Sequence, residues 1–319
     1  MVNYNIDNEE EVTDMLLISQ LKVSINNNQE LKAIIAKKLR IETPQVLDYL
    51  IQKRSLDARK KHDIFFVYNF IVEAEDELTI LSKNIQNVSQ YIEKEDQMDF
   101  LTYQYNKNIK IAIIGFGPAG MFSALTFARA GVTVTVYERG EKVDKRIASI
   151  NKFITERKLN VNSNIQFGEG GAGTFSDGKL TNRKKDPIGK WLFKEFVKAG
   201  APEEILYVNN PHIGTDRLIN VVKNIRKEIE SLGSTIHFES KVSNISPHKE
   251  GILLTVNDEK LIYDEVILAI GHSSRDTIEM LYKNQCDIEQ KPFAVGFRIE
   301  HRQSEINKTQ YGENFNNPK

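Results

Sequence analysis

The chain has 319 residues, 40% of them hydrophobic and 27% charged, which is enough for two domains with separate cores and argues against wholesale disorder. Its 43 basic and 44 acidic residues nearly cancel, which excludes a bulk polyanion binder and leaves any charge-driven partner to a local patch. One cysteine, Cys286, excludes an intrachain disulfide, a CxxC redox pair and a cysteine-ligated iron–sulfur cluster; no metal site is expected.

The start, Met1-Val2-Asn3-Tyr4-Asn5-Ile6, lacks the basic-then-apolar order of a signal peptide. No apolar run approaches the roughly 18 residues that cross a bilayer, so a cytoplasmic location with no membrane partner is expected. Residues 1–105 predict a small α+β domain. Met15-Leu16-Leu17-Ile18, leading to Leu21 and Val23, is a first apolar segment, and Leu31, Ile34, Ile35 and Leu39 recur at helical spacing. Thr43-Pro44 has the form of an N-cap with proline at the first helical position, which predicts a short helix through Val46, Leu47 and Leu50. Ile64-Phe65-Phe66-Val67-Tyr68-Asn69-Phe70-Ile71-Val72 is aromatic and β-branched, as a buried strand requires. Strands and helices mixed in so short a stretch predict a ferredoxin-like sandwich. The one basic run, Lys53 to His62, reads as a solvated strand and loop, with an RNA or acidic-partner contact as the alternative. Residues 95–108 form the expected linker.

From Ile109 the pattern changes. Ile109-Lys110-Ile111-Ala112-Ile113-Ile114 is nearly all apolar, as for a central parallel strand. Gly115-Phe116-Gly117-Pro118-Ala119-Gly120 follows at once, and Met121, Ala124, Leu125 and Ala128 continue with helical spacing up to Gly131. A second strand, Val132 to Tyr137, ends in Glu138, 18 residues beyond Gly120. Strand, glycine turn, helix, strand and carboxylate together make a dinucleotide-binding unit. Gly115 makes the tight turn, Gly117 lets the backbone approach a pyrophosphate, Gly120 allows close helix–strand packing, and Pro118 and Ala119 open the helix whose N-terminus faces the phosphates. Glu138 accepts hydrogen bonds from the adenosine ribose and repels a 2′-phosphate, which suits FAD or NAD better than NADP; Arg139 softens that preference. Arg146 either faces the pyrophosphate or flavin ribose or is a solvated helix charge beside Lys142 and Lys145.

Between the halves, residues 168–178 hold five glycines in eleven positions. Glycine offers no side chain to pack and loses the most entropy on ordering, so Gly170, Gly171 and their neighbours are read as a close approach to a ring or phosphate. After a helix with Leu218, Val221, Val222, Ile225 and Ile229, Gly233 to Phe238 predicts a third parallel strand. An antiparallel excursion starts at Lys241-Val242 and passes through Ile252-Leu253-Leu254 and Leu261-Ile262-Tyr263. It returns at Asp264 to Gly271 as an apolar strand ending in glycine.

That order resembles the FAD domain of the glutathione-reductase superfamily, in which a three-stranded meander precedes the strand that returns to the cofactor edge. The resemblance implies that the backbone of Val242 meets adenine and that Gly271 lets the chain pass close to the dinucleotide. Taken with Tyr137 to Gly140, Gln166 to Arg183, Pro211 to Leu218 and Lys291 to His301, the chain resembles bacterial NAD(FAD)-utilising dehydrogenases with an N-terminal ferredoxin-like domain. This implies an α/β fold: a ferredoxin-like domain over residues 1–105, a Rossmann-like FAD domain with parallel sheet and β-meander over 106–285, and the start of a substrate domain over 286–319. It also implies an oxidoreductase with FAD as cofactor and NAD(P)H as a transient donor. Members of that group continue beyond the segment matching Gly312, so a truncated or frameshifted product is expected here.

No catalytic set stands out by spacing. His212, His272, Arg298 and His301 lie near segments of the resemblance and are read mainly as hydrogen-bonded structural groups. Cys286 is read as a small buried apolar residue, and Trp191 as packing with Leu192 and Phe196 on an amphipathic helix. The expected reaction is hydride transfer between flavin and a small-molecule substrate or NAD(P)H. The alternatives are a flavoprotein acting on tRNA and an inactive nucleotide-binding module.

Overall fold

The computed structural model describes residues 15–92, 108–176, 178–180 and 187–316. The expected linker, apart from Asn108, and the chain start lie outside the described residues. The chain divides into two compact units, Met1–Glu95 with Leu206–Asn209 and Val295–Lys319, and Asp96–Ile205 with Asn210–Ala294.

In the first unit the elements run β1 (Leu16–Ser24), α1 (Leu31–Leu39), β2 (Val46–Asp57), β3 (Phe65–Ala74), α2 (Glu77–Ser82) and β4 (Val88–Gln90). The strands form one antiparallel sheet in the order β2-β3-β1-β4, so the small domain is α+β. Alternate residues of β3, Tyr68, Phe70, Val72 and Ala74, turn inward onto Leu16, Ile18, Ile35, Leu39 and Ile80. Tyr68 stacks on Phe70 at 5.1 Å.

The helix expected from Thr43 through Leu50 does not form. Thr43–Gln45 makes a single 3-10 turn, capped reciprocally by Glu42 and Gln45, and β2 begins at Val46. Pairing with β3 from Val46 to Asp57 outweighs the local helical spacing, and it leaves Leu50 62% exposed. The basic run occupies the end of β2 and the following turn. Arg59 grips Asp57 there with Nε at 2.8 Å and Nη2 at 2.7 Å.

The second unit is built on β5 (Ile111–Ile114), α3 (Pro118–Arg129), β6 (Val134–Tyr137), α4 (Val143–Glu156), α5 (Pro187–Lys198), α6 (Thr215–Ser231) and β7 (Thr235–His237). A meander of β8 (Val242–His248), β9 (Gly251–Val256) and β10 (Glu259–Tyr263) follows, then β11 (Glu265–Leu268) and α7 (Arg275–Lys283). The parallel sheet has the order β11-β5-β6-β7, and the meander is a separate antiparallel sheet, as expected from the sequence. All four residues of β5 are buried because both faces are covered. Ile111 and Ile113 face the core shared with α3 and α6, whereas Ala112 and Ile114 face the meander through Val242, Leu254 and Val256.

Phe70 is fully buried, so Phe70→Ala should lower stability by about 3–5 kcal/mol, as measured by chemical denaturation.

Candidate functional site

The register of the parallel sheet sets Leu268, Ile114, Tyr137 and His237 side by side, so the four chains leave its carboxyl edge together. β5 connects to β6 on one side, while β11 returns on the other. Such a reversal is where open α/β sheets bind ligands. Gly115 turns the chain there at φ +100°, donating its N–H to Tyr137 O at 2.8 Å. A Cβ on Gly115 would lie 2.4 Å from Ala269 O, and one on Gly120 would lie 1.9 Å from Gly115 O, so the protein's own packing demands both glycines.

Gly117 is different. Its φ is −76°, and an added Cβ would meet only Gly171 Cα at 3.8 Å, an ordinary contact. Nothing in the protein requires glycine there, which fits a position kept open for a group outside the chain. Gly117 is also the N-cap of α3, without a side-chain cap bond, and is followed by Pro118 and Ala119. The first-turn amides and the positive end of the helix dipole therefore address the same space.

Glu138, only 5% exposed, directly follows β6 and joins three segments. Its Oε2 accepts the Phe116 N–H at 2.7 Å, and its Oε1 accepts those of Gly140 at 2.9 Å and Gly168 at 3.0 Å. A carboxylate has about four lone-pair sites, so room remains for one more donor. The glycine loop is drawn onto the turn a second time where Gly170 donates to Phe116 O at 2.9 Å. Gly170 and Gly171 have φ of +78° and +64°, backbone that other residues adopt only under strain.

Arg146 is fully buried, not a solvated helix charge. Its Nε donates to Asn164 O at 2.8 Å, Nη1 to Glu169 O at 2.6 Å and Nη2 to Ile165 O at 3.0 Å, and its guanidinium lies over the Phe175 ring at 4.7 Å. Burial pushes its pKa down to about 10, against the opposing charges of Glu138 and Glu169, so it stays protonated at neutral pH. Its donors shape the glycine loop. Glu169, which sequence reasoning passed over, completes that anchorage: Oε2 accepts the Val143 N–H of α4 at 2.7 Å, and Oε1 accepts Arg226 Nε of α6 at 2.6 Å. A lone carboxylate inside a glycine run was the available signal.

A cleft of about 30 Å³ lies beside the turn, lined by Gly115, Glu138, Arg139, Phe167, Val242 and Thr277 among others. Val242 is buried at the start of β8. Gly271, at φ +68° with open space where a Cβ would stand, turns the chain from β11 towards α7. Arg139 is paired with Asp276 through Nη1 at 3.1 Å and Nη2 at 3.0 Å. Burial would raise the Asp276 carboxyl, but the bonds and charges of Arg139 and Lys241 outweigh it and hold the group well below the usual range. A second, larger cavity of about 810 Å³ starts at Pro118 and Ala119 and runs along the outer flank of α3 to α5. Phe122 meets Trp191 and Phe196 edge-on there, at 5.8 and 5.2 Å.

None of the remaining candidates is among the residues that line the two clefts. His212 and His272 are exposed in this unit, and Arg298 and His301 are exposed in the other. Cys286, expected to be buried, is exposed just after α7, where the chain runs without secondary structure. Among the described residues no three His, Cys, Asp or Glu side chains gather as a metal site, and no helix is long and apolar enough to cross a membrane.

The sheet order, the switch point and the glycine turn define a Rossmann-type dinucleotide-binding protein. The chain belongs to the pyridine nucleotide-disulphide oxidoreductase family, which matches residues 109–299. Residues 15–73 match a domain of unknown function, DUF8436. A Clostridium beijerinckii protein described as uncharacterized is 44% identical over 305 residues, covering 95% of this chain and 57% of that protein. A Haemophilus influenzae ribosomal RNA dihydrouridine synthase is 25% identical over 177 residues, covering 53% of this chain and 41% of that protein. The chain thus spans little more than half the length of the first of these relatives. Lactococcus lactis thioredoxin reductase, a solved structure, is 17% identical with a TM-score of 0.28, covering 51% of this chain and 36% of that one.

Arg146→Met would strand the carbonyls of Asn164, Ile165 and Glu169, and a loss of about 3–5 kcal/mol in chemical denaturation is expected. Arg146→Lys should recover only part of it, because one ammonium cannot span three divergent carbonyls.

Proposed function

We propose that the chain binds FAD across the glycine turn and acts as an oxidoreductase, passing hydride between the flavin and an organic substrate or NAD(P)H. Within its family we place it with the NAD(FAD)-utilising dehydrogenases. The observation that carries the reading is Gly117, a glycine the fold does not need, at the mouth of a helix whose first turn has no capping side chain. Gly117, Pro118, Ala119 and Gly120 would face the pyrophosphate, with Gly170 and Gly171 closing over it. Glu138 would take one ribose hydroxyl on its remaining lone pair, the backbone of Val242 would meet adenine, and Gly271 would let the returning chain pass close by. A 2′-phosphate would face the Glu138 carboxylate, and the Arg139 charge is already met by Asp276, so an NADP-type adenosine is disfavoured here.

Bound flavin supplies the hydride chemistry; the protein's contribution is binding, orientation and exclusion of water. The apolar cavity beyond Ala119 provides the dry surface, with Phe122, Trp191 and Phe196 as flat walls for the other half of the dinucleotide and its substrate. The family's dithiol chemistry needs a cysteine pair, and this chain has one cysteine.

A second reading is that the reduced flavin acts on a base in RNA. It draws on the relation to the Haemophilus synthase and on the basic stretch Lys53 to His62, where Arg54 lies over the Phe66 and Tyr207 rings at 5.4 and 5.7 Å. Binding to RNA that persists at physiological salt would favour it, and loss of all binding at moderate salt would remove it.

The test of the first reading is spectroscopic. Purified protein should be yellow, or become so on adding FAD. Gly117→Val should keep its melting temperature and weaken FAD by at least about tenfold, roughly 1.4 kcal/mol. Colourless protein that takes up no FAD would remove the reading.

A further inference from the structure

The cleft at the adenosine end measures about 30 Å³, room for a water molecule or two and too little for a purine. Part of its wall must therefore move when a nucleoside enters. Gly115 and Glu138 cannot, because the turn is locked against Ala269 and the carboxylate holds three amides. Val242 is fixed in the meander core. Arg139 also lines the cleft, and the contacts that hold its guanidinium are to side chains. The guanidinium lies over the Phe167 ring at 4.7 Å and is tied on its far side to the first turn of α7, by Asp276 and by Thr277 Oγ1 at 2.9 Å.

We infer that Arg139 is a hinged roof over the adenosine end of the FAD site and that Asp276 is its catch, so that this pair sets how fast the cofactor enters and leaves. The inference rests on the FAD reading. Asp276 acts through Arg139 and is a positioning residue. Its carboxylate is 45% exposed and shared with Lys241 at 2.8 Å, so the catch sits at the solvent edge, where salt screens it and opening costs little. A guanidinium released from Phe167 keeps its planar, weakly hydrated face, which stacks equally well on a purine. Closed, it covers Phe167; open, it has a second flat partner in the adenine ring, and so returns over the bound nucleoside.

The test is stopped-flow uptake of FAD by full-length protein stripped of flavin, together with the release rate. Wild-type uptake should quicken as potassium chloride rises from about 0.05 to 0.5 M, the opposite of the slowing that steering of an anion by protein charge would give. Asp276→Asn should take up and release FAD about three to ten times faster, with the dissociation constant moving less than either rate, and should lose the salt acceleration. Glu279→Gln, an equal charge change on exposed α7 surface, should alter uptake less than about twofold. If Asp276→Asn merely melts earlier and releases FAD faster, with uptake and its salt response unchanged, the catch is wrong. If that variant does not fold, the wild-type salt series decides, and uptake that slows or stays constant overturns the proposal. Wild-type protein that binds no FAD at any salt removes the cofactor reading and the catch with it.

Discussion

The site depends on one buried carboxylate. Glu138 directly follows β6 and receives the amides of Phe116, Gly140 and Gly168, which belong to the glycine turn, the strand's own exit and the glycine loop. The glycine turn and the glycine loop lie 22 and 30 residues from Glu138 in the chain. Hydrogen bonds to an ionised, desolvated acceptor are about twice as strong as neutral ones, so a single residue can hold them in register. The residue proposed to take the ribose is thus also the bolt that holds the turn and the loop together. Loss of Glu138 would remove a contact and leave three amides unmet, and the two effects could not be separated by that substitution alone.

A second tier of charge holds the glycine loop in place. Arg146 gathers the carbonyls of Asn164, Ile165 and Glu169, and Glu169 in turn caps α4 and pairs with Arg226 of α6. A loop with five glycines would be costly to order by itself. Here a buried cation from α4, Arg146, and a buried anion within the loop, Glu169, offset that cost. Glycine at 170 and 171 supplies the positive φ, and the two charged residues supply the restraint.

Much of this was legible in the sequence, because the dinucleotide turn is local. Gly115, Gly117, Gly120 and Glu138 lie within one βαβ unit, and hydrophobic periodicity placed its strands and helix and the meander. What failed or stayed open was non-local. The residues after Thr43-Pro44 have helical spacing, yet a β-strand forms because β3 offers a long partner. Arg146 looked the same as its neighbours Lys142 and Lys145, since nothing nearby reveals the carbonyls it meets some twenty residues on. Asp276 lies 137 residues from Arg139 and carried no motif. The sequence also could not separate glycines required by packing from one the packing does not require. That distinction needed the neighbours of each Cβ, and within the glycine turn it separates Gly117 from Gly115 and Gly120.

The chain is therefore a member of the pyridine nucleotide-disulphide oxidoreductase family whose glycine turn and glycine loop are joined by backbone amides and fixed by buried charge. The most direct measurement is amide hydrogen exchange on the full chain with and without FAD, following residues 115–120 and 166–173 together. The account predicts that FAD slows exchange in both segments at the same concentration, because one ligand seats against both. Exchange indifferent to FAD, or protection confined to a segment remote from Glu138, would contradict it.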